Sequence, residues 1–165
     1  MKTLFFIDDD IVFNPMEVPK IAQLMIKNNL DICGGAYTIK QPEKPHFAIK
    51  ALDAQPIVFG EKGNIVEVKW LATGFMAIHR RVLEEMVKKE IYHLCHPNDM
   101  KFYPFFASYE KYIDGSWIFL SEDYAFCEKA RDLGLKKLTR ALKEFRKKID
   151  EVYKKSMKEI DEKYK

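Results

Sequence analysis

The chain has no long apolar run in its 165 residues. A helix that crosses a membrane needs about 20 consecutive, mostly apolar residues. The sequence therefore predicts no transmembrane helix. The opening Met1, Lys2 and Thr3 lead into a short apolar stretch that ends at three aspartates, too short for the core of a secretory signal. We therefore expect a soluble, cytoplasmic protein.

Cysteine is scarce as well. The three cysteines, Cys33, Cys95 and Cys127, are widely spaced and odd in number, which argues against a disulfide framework and fits a reducing compartment. His93 and His96 flank Cys95, but this short cluster lacks the second pair of ligands that a structural zinc site requires. The sequence therefore predicts neither a disulfide scaffold nor a zinc module.

Positive charge is not concentrated on the predicted folded body. The net charge is +3, yet residues 136–165 alone hold 12 basic and 6 acidic residues, so the preceding part is mildly acidic. A nucleic-acid-binding domain would carry its basic residues on the body, with aromatic residues interleaved. We expect no nucleic-acid partner.

The order of apolar segments in residues 1–135 predicts an α/β domain. Residues 3–7 are a continuous apolar run, typical of a strand that is buried on both faces in a parallel sheet. Asn14 and Pro15 predict the start of a helix that ends near residues 28–29. Further strands are predicted at residues 31–37, 47–50, 57–59 and 65–70, a turn at 61–64, an apolar segment at 71–78, and helices at 80–89 and 121–133.

The pattern changes in residues 136–165. Spacing by threes and fours predicts an amphipathic helix of about seven turns, with a stripe formed by Leu138, Leu142, Phe145, Ile149, Val152, Ser156, Ile160 and Tyr164. This stripe either docks on the body or mediates self-association, so a homo-oligomer is one of two alternatives. The predicted organisation is a domain at 1–135 followed by a C-terminal helix at 136–165.

Three consecutive acids, Asp8, Asp9 and Asp10, follow the first predicted strand. Ligands of open α/β sheets bind beyond the carboxyl ends of the strands. Repulsion among three carboxylates is costly unless a cation is present, and carboxylate oxygens suit Mg²⁺ or Mn²⁺, which bridge to phosphates. The alternative is an acidic turn that favours the positive end of the following helix.

A second acidic motif, Ser121-Glu122-Asp123, lies where a helix is predicted to begin. One interpretation is capping, because acids are favoured in the first helical turn. The other makes a carboxylate the general base that removes a proton from an attacking hydroxyl.

A third motif contains Trp70 and Gly74. Gly74 can let a sugar ring approach the backbone, with Trp70 as an apolar platform beside it. The alternative is a core strand in which the glycine relieves crowding.

In this order and spacing, the three motifs resemble the glycosyltransferase family 2 branch of the GT-A superfamily. Members of that family have a strand that ends in D-x-D, a G-G-x-Y strand, a W-x-x-T-G-F-M-x-I strand and an E-D motif that opens a helix. The matching residues here are 8–10, 34–37, 70–78 and 121–134, and the resemblance spans residues 4–135.

This resemblance implies a GT-A-like mixed sheet flanked by helices, and the metal-dependent transfer of a sugar from a nucleotide diphosphate donor to an acceptor hydroxyl. It implies that Asp10 coordinates Mn²⁺ or Mg²⁺ directly, that Asp8 holds either the metal or the donor's ribose, and that Asp9 lies beside them at the donor. Asp123, with Glu122 beside it, would activate the acceptor.

The resemblance also implies that Gly74 and Trp70 lie at the sugar pocket. Two features depart from the family. Its members have a nucleotide-binding half before the D-x-D strand, and beyond the E-D helix they continue into a strand that often supplies a histidine ligand. Here a Lys- and Glu-rich segment without histidine follows. The alternative function is a non-catalytic remnant, or a binding or assembly protein that keeps the fold.

Overall fold

The computed structural model describes residues 2–37, 47–52, 65–97, 100–135 and 138–141. These form an α/β fold in which three helices accompany eight strands within the described ranges. The strands are β1 Thr3–Ile7, β2 Ile32–Gly35, β3 Ile49–Ala51, β4 Ile65–Leu71, β5 Phe75–His79, β6 Tyr109–Ile113, β7 Ser116–Leu120 and β8 Leu138–Ala141. The helices are α1 Glu17–Asn28, α2 Arg80–Lys88 and α3 Glu122–Asp132.

Six of these strands form one mixed sheet in the order β1-β5-β2-β8-β4-β3. Only β2 and β8 pair in parallel, and every other described pairing is antiparallel. The bounds predicted for β1 are confirmed, but the prediction that it is a parallel strand buried on both faces is wrong. β1 lies at the edge of the sheet, pairs antiparallel with β5 and is only partly buried.

The interior strand β5 shows how the two faces of the sheet are covered. Phe75 and Ala77 join a core cluster with the buried residues of α1, whereas Met76 and Ile78 join a second cluster with the buried residues of α2 and α3. Because successive side chains of a strand point to opposite faces, a strand covered on both sides is apolar throughout. The domain therefore has three layers, with α1 on one face and α2 and α3 on the other.

Two glycines at the end of β2 allow its neighbours to pack closely. A Cβ added to Gly34 would stand 2.6 Å from the Leu71 side chain, and one on Gly35 would collide with the ring of Phe75. The atoms that approach these two glycines belong to the protein's own core. These contacts hold the end of β2 against the segment that joins β4 to β5.

The segment before α3 contains a hairpin. β6 and β7 pair in register around Asp114 and Gly115, which have positive φ angles of 51° and 85°. Such angles at both central residues characterise the tight turn that suits the twist of paired strands. One face of the hairpin packs on the core, and the other exposes Tyr112, Trp117 and Phe119. The chain then runs from β7 directly into α3.

The start of the predicted C-terminal helix is wrong. Residues 138–141 form β8, which pairs with β2 on one side and with β4 on the other. Backbone hydrogen bonding between two existing strands overrides the helical spacing of the sequence, and a strand does follow α3. The rest of the predicted stripe from Leu142 onward, the strand predicted at 57–59 and the turn predicted at 61–64 lie outside the described residues.

Within the described ranges, none of the helices has the length and apolar character needed to cross a membrane.

Candidate functional site

Three distant parts of the chain meet at the turn between β4 and β5, which is formed by Thr73 and Gly74. The backbone amide of Asp8 donates to the carbonyl of Gly74 at 3.0 Å, and the amide of Gly74 donates to the Tyr37 hydroxyl at 3.0 Å. The amide of Thr73 donates to the Asp123 carboxylate at 3.1 Å. The ends of β1 and β2 and the start of α3 are thereby fixed around one turn, which we call the β4–β5 turn.

The absence of a side chain at Gly74 is what allows this approach. A Cβ at this position would collide with the phenol of Tyr37 and would stand 2.8 Å from Oδ2 of Asp8. Contacts shorter than 3 Å are not tolerated by a real Cβ, so the phenol and the carboxylate occupy the space that any other residue would fill. The space at Gly74 is therefore filled by two polar side chains of the protein, as expected for a glycine that relieves crowding, and the approach of a sugar ring to this residue stays a prediction.

Asp123 is the half-buried carboxylate of this site. Burial raises its pKa above the ordinary value, the amide of Thr73 and its own amide act in the opposite direction, and the charges of Glu122 and Asp8 raise it further. A carboxylate whose proton affinity is raised in this way is a better base than an exposed one. The influence of Asp8 also places the two predicted site residues within electrostatic reach of each other.

Tyr37 is a member of the site to which the sequence assigned no role. Burial raises its pKa to about 12, the bond from Gly74 partly offsets this rise, and Asp8, Asp123 and Tyr124 add to it. The hydroxyl therefore stays protonated at neutral pH. Its oxygen accepts the Gly74 amide, and its own proton can be donated to a neighbouring carboxylate or a ligand. The signal in the sequence is the position of this tyrosine just beyond the end of β2, in the G-G-x-Y motif.

The acidic cluster itself lies in a solvent-exposed turn. Asp8, Asp9 and Asp10 are all exposed, and the turn is closed by a bond of 3.2 Å from the amide of Ile11 to the carbonyl of Asp8. Water therefore screens the mutual repulsion that led to the metal prediction. Among the residues that the structure describes, no three His, Cys, Asp or Glu side chains are grouped as a set of metal ligands.

A pair of carboxylates is nevertheless enough for a cation that binds together with a phosphorylated substrate. Mg²⁺ is commonly held by one or two carboxylates, with phosphates and water completing its shell. Asp8 and Asp10 supply oxygen donors of the right type, and Asp8 is fixed by its backbone bond to Gly74. The donor chemistry fits Mn²⁺ or Mg²⁺, and metal binding here stays a prediction.

Trp70 is placed differently from the other predicted site residues. Its side chain is only 6% exposed, stacks on Tyr124 with ring centroids 5.1 Å apart, and donates from Nε1 to the Glu128 carboxylate at 2.7 Å. Glu128 in turn accepts from Lys111 at 3.1 Å. These contacts tie β4 to α3 and so hold the start of α3 near the β4–β5 turn. The role of Trp70 as a platform for a sugar stays a prediction.

The second acidic motif is divided between solvent and site. α3 begins after Ser121, whose side chain makes no capping bond, and Glu122 is exposed. Asp123 faces inward and binds the amide of Thr73. The structure therefore brings Asp8, Gly74 and Asp123 together, and leaves Asp9, Asp10 and Glu122 at the solvent-exposed rim.

No protein-family model matches this sequence, and no curated protein or solved structure is similar enough to count as a relative. Any function assigned to the site therefore rests on the geometry of these residues and on the chemistry that they can perform.

Proposed function

We propose that this chain is a glycosyltransferase-like domain of the GT-A type, which transfers a sugar from a nucleotide diphosphate donor to an acceptor hydroxyl with the help of a divalent cation. The observation that supports this most strongly is the convergence of Asp8 and Asp123 on the β4–β5 turn, although the two residues lie more than a hundred positions apart. One carboxylate is suited to the donor's cation and the other to the acceptor's proton. A transfer reaction needs both functions close together.

On the donor side, Asp8 and Asp10 are the residues that would hold Mn²⁺ or Mg²⁺, with Asp9 next to them at the donor. When bound, such a cation stabilises the negative charge that develops on the leaving diphosphate. The protein orients Asp8 through the bond between its amide and the carbonyl of Gly74. The Tyr37 hydroxyl, held by the amide of the same glycine, can donate its proton to an oxygen at this position.

On the acceptor side, Asp123 is the proposed general base. The acceptor oxygen forms a bond to the anomeric carbon of the sugar, the bond from that carbon to the diphosphate oxygen breaks, and the electron pair stays on the diphosphate. The proton of the acceptor hydroxyl passes to the Asp123 carboxylate. The raised pKa of Asp123 favours this step, since the basicity of a carboxylate increases with its pKa.

Hydrolysis of nucleotide diphosphate sugars, with water as the simplest acceptor, tests this proposal. We expect release of the nucleoside diphosphate from at least one sugar donor in the presence of Mn²⁺, and its loss on chelation. Asp123→Asn should lower the rate by about a hundredfold or more, whereas Glu122→Gln, which changes an exposed neighbour in the same turn, should retain most of it. Absence of turnover with every donor tested, despite tight donor binding, would contradict catalysis.

A second candidate is a binding protein that keeps this fold without turnover. The observation in its favour is the exposure of all three acids of the cluster, because no third ligand among the described residues restrains a bound cation. Binding of Mn²⁺ and a nucleotide diphosphate with no detectable product would support this candidate. The turnover rates of Asp123→Asn and the unmodified protein distinguish the enzyme from the binding protein. In an enzyme the substitution lowers the rate, whereas in a binding protein the two rates are equally at background.

A further inference from the structure

β1 is an edge strand whose apolar residues are typical of an interior strand. No strand lies beyond β1 in the described part of the sheet. Nevertheless both of its faces contact the core, since the partly buried Phe5 and Ile7 pack against the core cluster on the α1 side and Phe6 packs against the one on the opposite side. Leu4, the second residue of the strand, is 46% exposed.

The opposite edge of the sheet is protected in ways that β1 is not. β3 has only three residues, carries Lys50 at its centre, and has an irregularity in its pairing with β4 directly after that lysine. Short length, a lysine and a bulge are the features by which edge strands avoid pairing with other chains. β1 has five residues with regular pairing throughout, and none of them is charged or a proline.

The backbone groups on the open side of β1 can be identified from two hydrogen bonds. The carbonyl of Lys2 accepts from Arg80, and the amide of Asp8 donates to Gly74, so the even-numbered residues direct their backbone groups toward β5. In an antiparallel strand, alternate residues direct these groups to opposite edges. Thr3, Phe5 and Ile7 therefore present their N–H and C=O groups at the open edge.

We propose that this edge pairs antiparallel with β1 of a second copy of the chain, about a two-fold axis that passes through Phe5. This register places Thr3 opposite Ile7 and Phe5 opposite Phe5, so every outward-facing backbone group meets a complementary one. Leu4 lies opposite Phe6, an apolar pair. The two sheets become one continuous sheet across the dimer.

Charge complementarity selects this register and this occupant. Pairing centred on Phe5 places Lys2 of one copy directly opposite Asp8 of the other, twice per dimer. Both residues are exposed in the single chain, and opposite charges at facing positions stabilise paired strands. The dimer also places Lys2 of the second copy beside Asp8, the proposed cation ligand, so the lysine and a bound cation compete for the same carboxylate.

Analytical ultracentrifugation of the full chain and of two charge-reversed variants tests the proposal. We expect the unmodified protein to approach twice the 19.5 kDa of one chain as its concentration rises. Lys2→Glu places two negative charges at the facing positions 2 and 8, and Asp8→Lys places two positive charges there. Each variant alone should self-associate about tenfold more weakly, while an equimolar mixture of the two should recover association, because both facing pairs then have opposite charges.

Three further variants test whether the association depends on the backbone of β1, on charge in general or on the C-terminal stripe. Lys101→Glu makes the same charge change at an exposed loop residue and should leave association unchanged. Thr3→Pro removes an outward-facing N–H at the first position of the strand, where proline is tolerated, and should weaken the dimer while circular dichroism shows a folded protein. Charged residues at Leu142 and Ile149 should have no effect.

Three results would overturn the proposal. The first is a monomer at every concentration up to about 0.1 mM. The second is a dimer that is insensitive to Lys2→Glu and Thr3→Pro, and the third is one abolished by charges at Leu142 and Ile149. Since each readout is a mass, none depends on whether the chain transfers a sugar.

Discussion

The carboxylate of Asp123 accepts the backbone amide of Thr73 at 3.1 Å, which fixes the first turn of α3 against the β4–β5 turn. On the other side of the same turn, Gly74 binds the backbone of Asp8. Two acids that are remote in the chain are thereby held on either side of a two-residue segment. Both proposed chemical roles, cation binding at Asp8 and proton removal by Asp123, depend on this arrangement.

Replacement of Asp123 by asparagine should stabilise the protein while it strongly slows transfer. The folded-state pKa of Asp123 lies above the ordinary 3.8. Between these two values the folded chain binds more protons than the unfolded chain, so the free energy of unfolding falls as the pH rises through this window and stays lower above it. Asparagine can still accept the Thr73 amide and has no charge to bury, so the melting temperature at neutral pH should match or exceed that of the unmodified protein.

Thermal melts from acidic to neutral pH check this prediction, with Glu122→Gln as the exposed control. The gap between Asp123→Asn and the unmodified protein should widen as the pH rises above 3.8. The opposite result is a stability of Asp123→Asn, relative to the unmodified protein, that falls as the pH rises to neutral. It would mean that the ionised Asp123 carboxylate stabilises the fold, and it would contradict the prediction.

Gly74→Ala should destabilise the fold by about 1–3 kcal/mol, because the added methyl group is overpacked against the Tyr37 phenol. Chemical denaturation measures this cost. In a Tyr37→Ala background the methyl group gains room, so the cost of Gly74→Ala should be clearly smaller. Equal costs in both backgrounds would show that the phenol does not limit the space at Gly74.

Trp70→Phe should lower the free energy of unfolding by about 1–3 kcal/mol, because Glu128 loses a hydrogen-bond donor in a buried position. Trp117→Phe makes the same change at a side chain that is 71% exposed, and should cost far less. Urea denaturation of both variants provides the comparison. Similar losses for the two would contradict a structural role for the indole of Trp70.

The same interaction predicts a pH dependence. Burial alone would raise the pKa of Glu128, but hydrogen bonds from Trp70 and Lys111 lower it below 4.5. Its stabilising contribution is therefore complete above pH 4.5 and is lost as the pH falls through the folded-state pKa. Trp70→Phe should make this loss at acidic pH smaller, which acid titration of the two proteins would detect.

His79 should make α2 sensitive to mild acid. Its Nδ1 accepts the amide of Arg81 at the start of the helix, at 3.0 Å. Burial and the positive charge of Arg81 lower its pKa below 6.5. The cap is therefore intact above pH 6.5 and is lost as the pH falls through the folded-state pKa, because a protonated imidazole cannot accept this bond.

His79→Asn keeps an acceptor at the start of α2 and removes the titrating ring. This variant should lose the pH dependence between neutral and mildly acidic conditions, whereas His79→Ala should cost about 0.5–2 kcal/mol at neutral pH. Unfolding measured across that range distinguishes them. Unchanged pH dependence in His79→Asn would assign the titration to another group.

The strand bounds of β1 were predictable because a continuous apolar run ends abruptly at Asp8. Its position at the edge and its antiparallel pairing were not, since they depend on β5, a segment about seventy residues away. For residues 138–141 even the type of element was not predictable. The sequence has helical spacing there, but the backbone pairs as a strand with β2 on one side and β4 on the other. Local pattern determines where an element lies more reliably than which neighbours it pairs with.

For the candidate site, the sequence indicated which acids belong to it but not how they are arranged in space. Asp8, Gly74 and Asp123 each belong to a motif visible in the sequence, whereas their hydrogen bonds to one turn are a product of the fold. Tyr37 received no role of its own, although it is the last residue of the G-G-x-Y motif. Its contact with Gly74 appears only once β2 is placed beside β5.

The most direct test of the central claim is a titration of the ¹⁵N-labelled protein with Mn²⁺, alone and with a nucleoside diphosphate, followed by amide NMR spectra. The unpaired electrons of Mn²⁺ broaden signals of nearby nuclei. We predict selective broadening at Asp8, Asp10 and Gly74, enhanced by the nucleotide, with Gly115 in the hairpin turn as the unaffected reference. Uniform spectra at millimolar Mn²⁺ and nucleotide, or broadening confined to other acidic residues, would contradict the account.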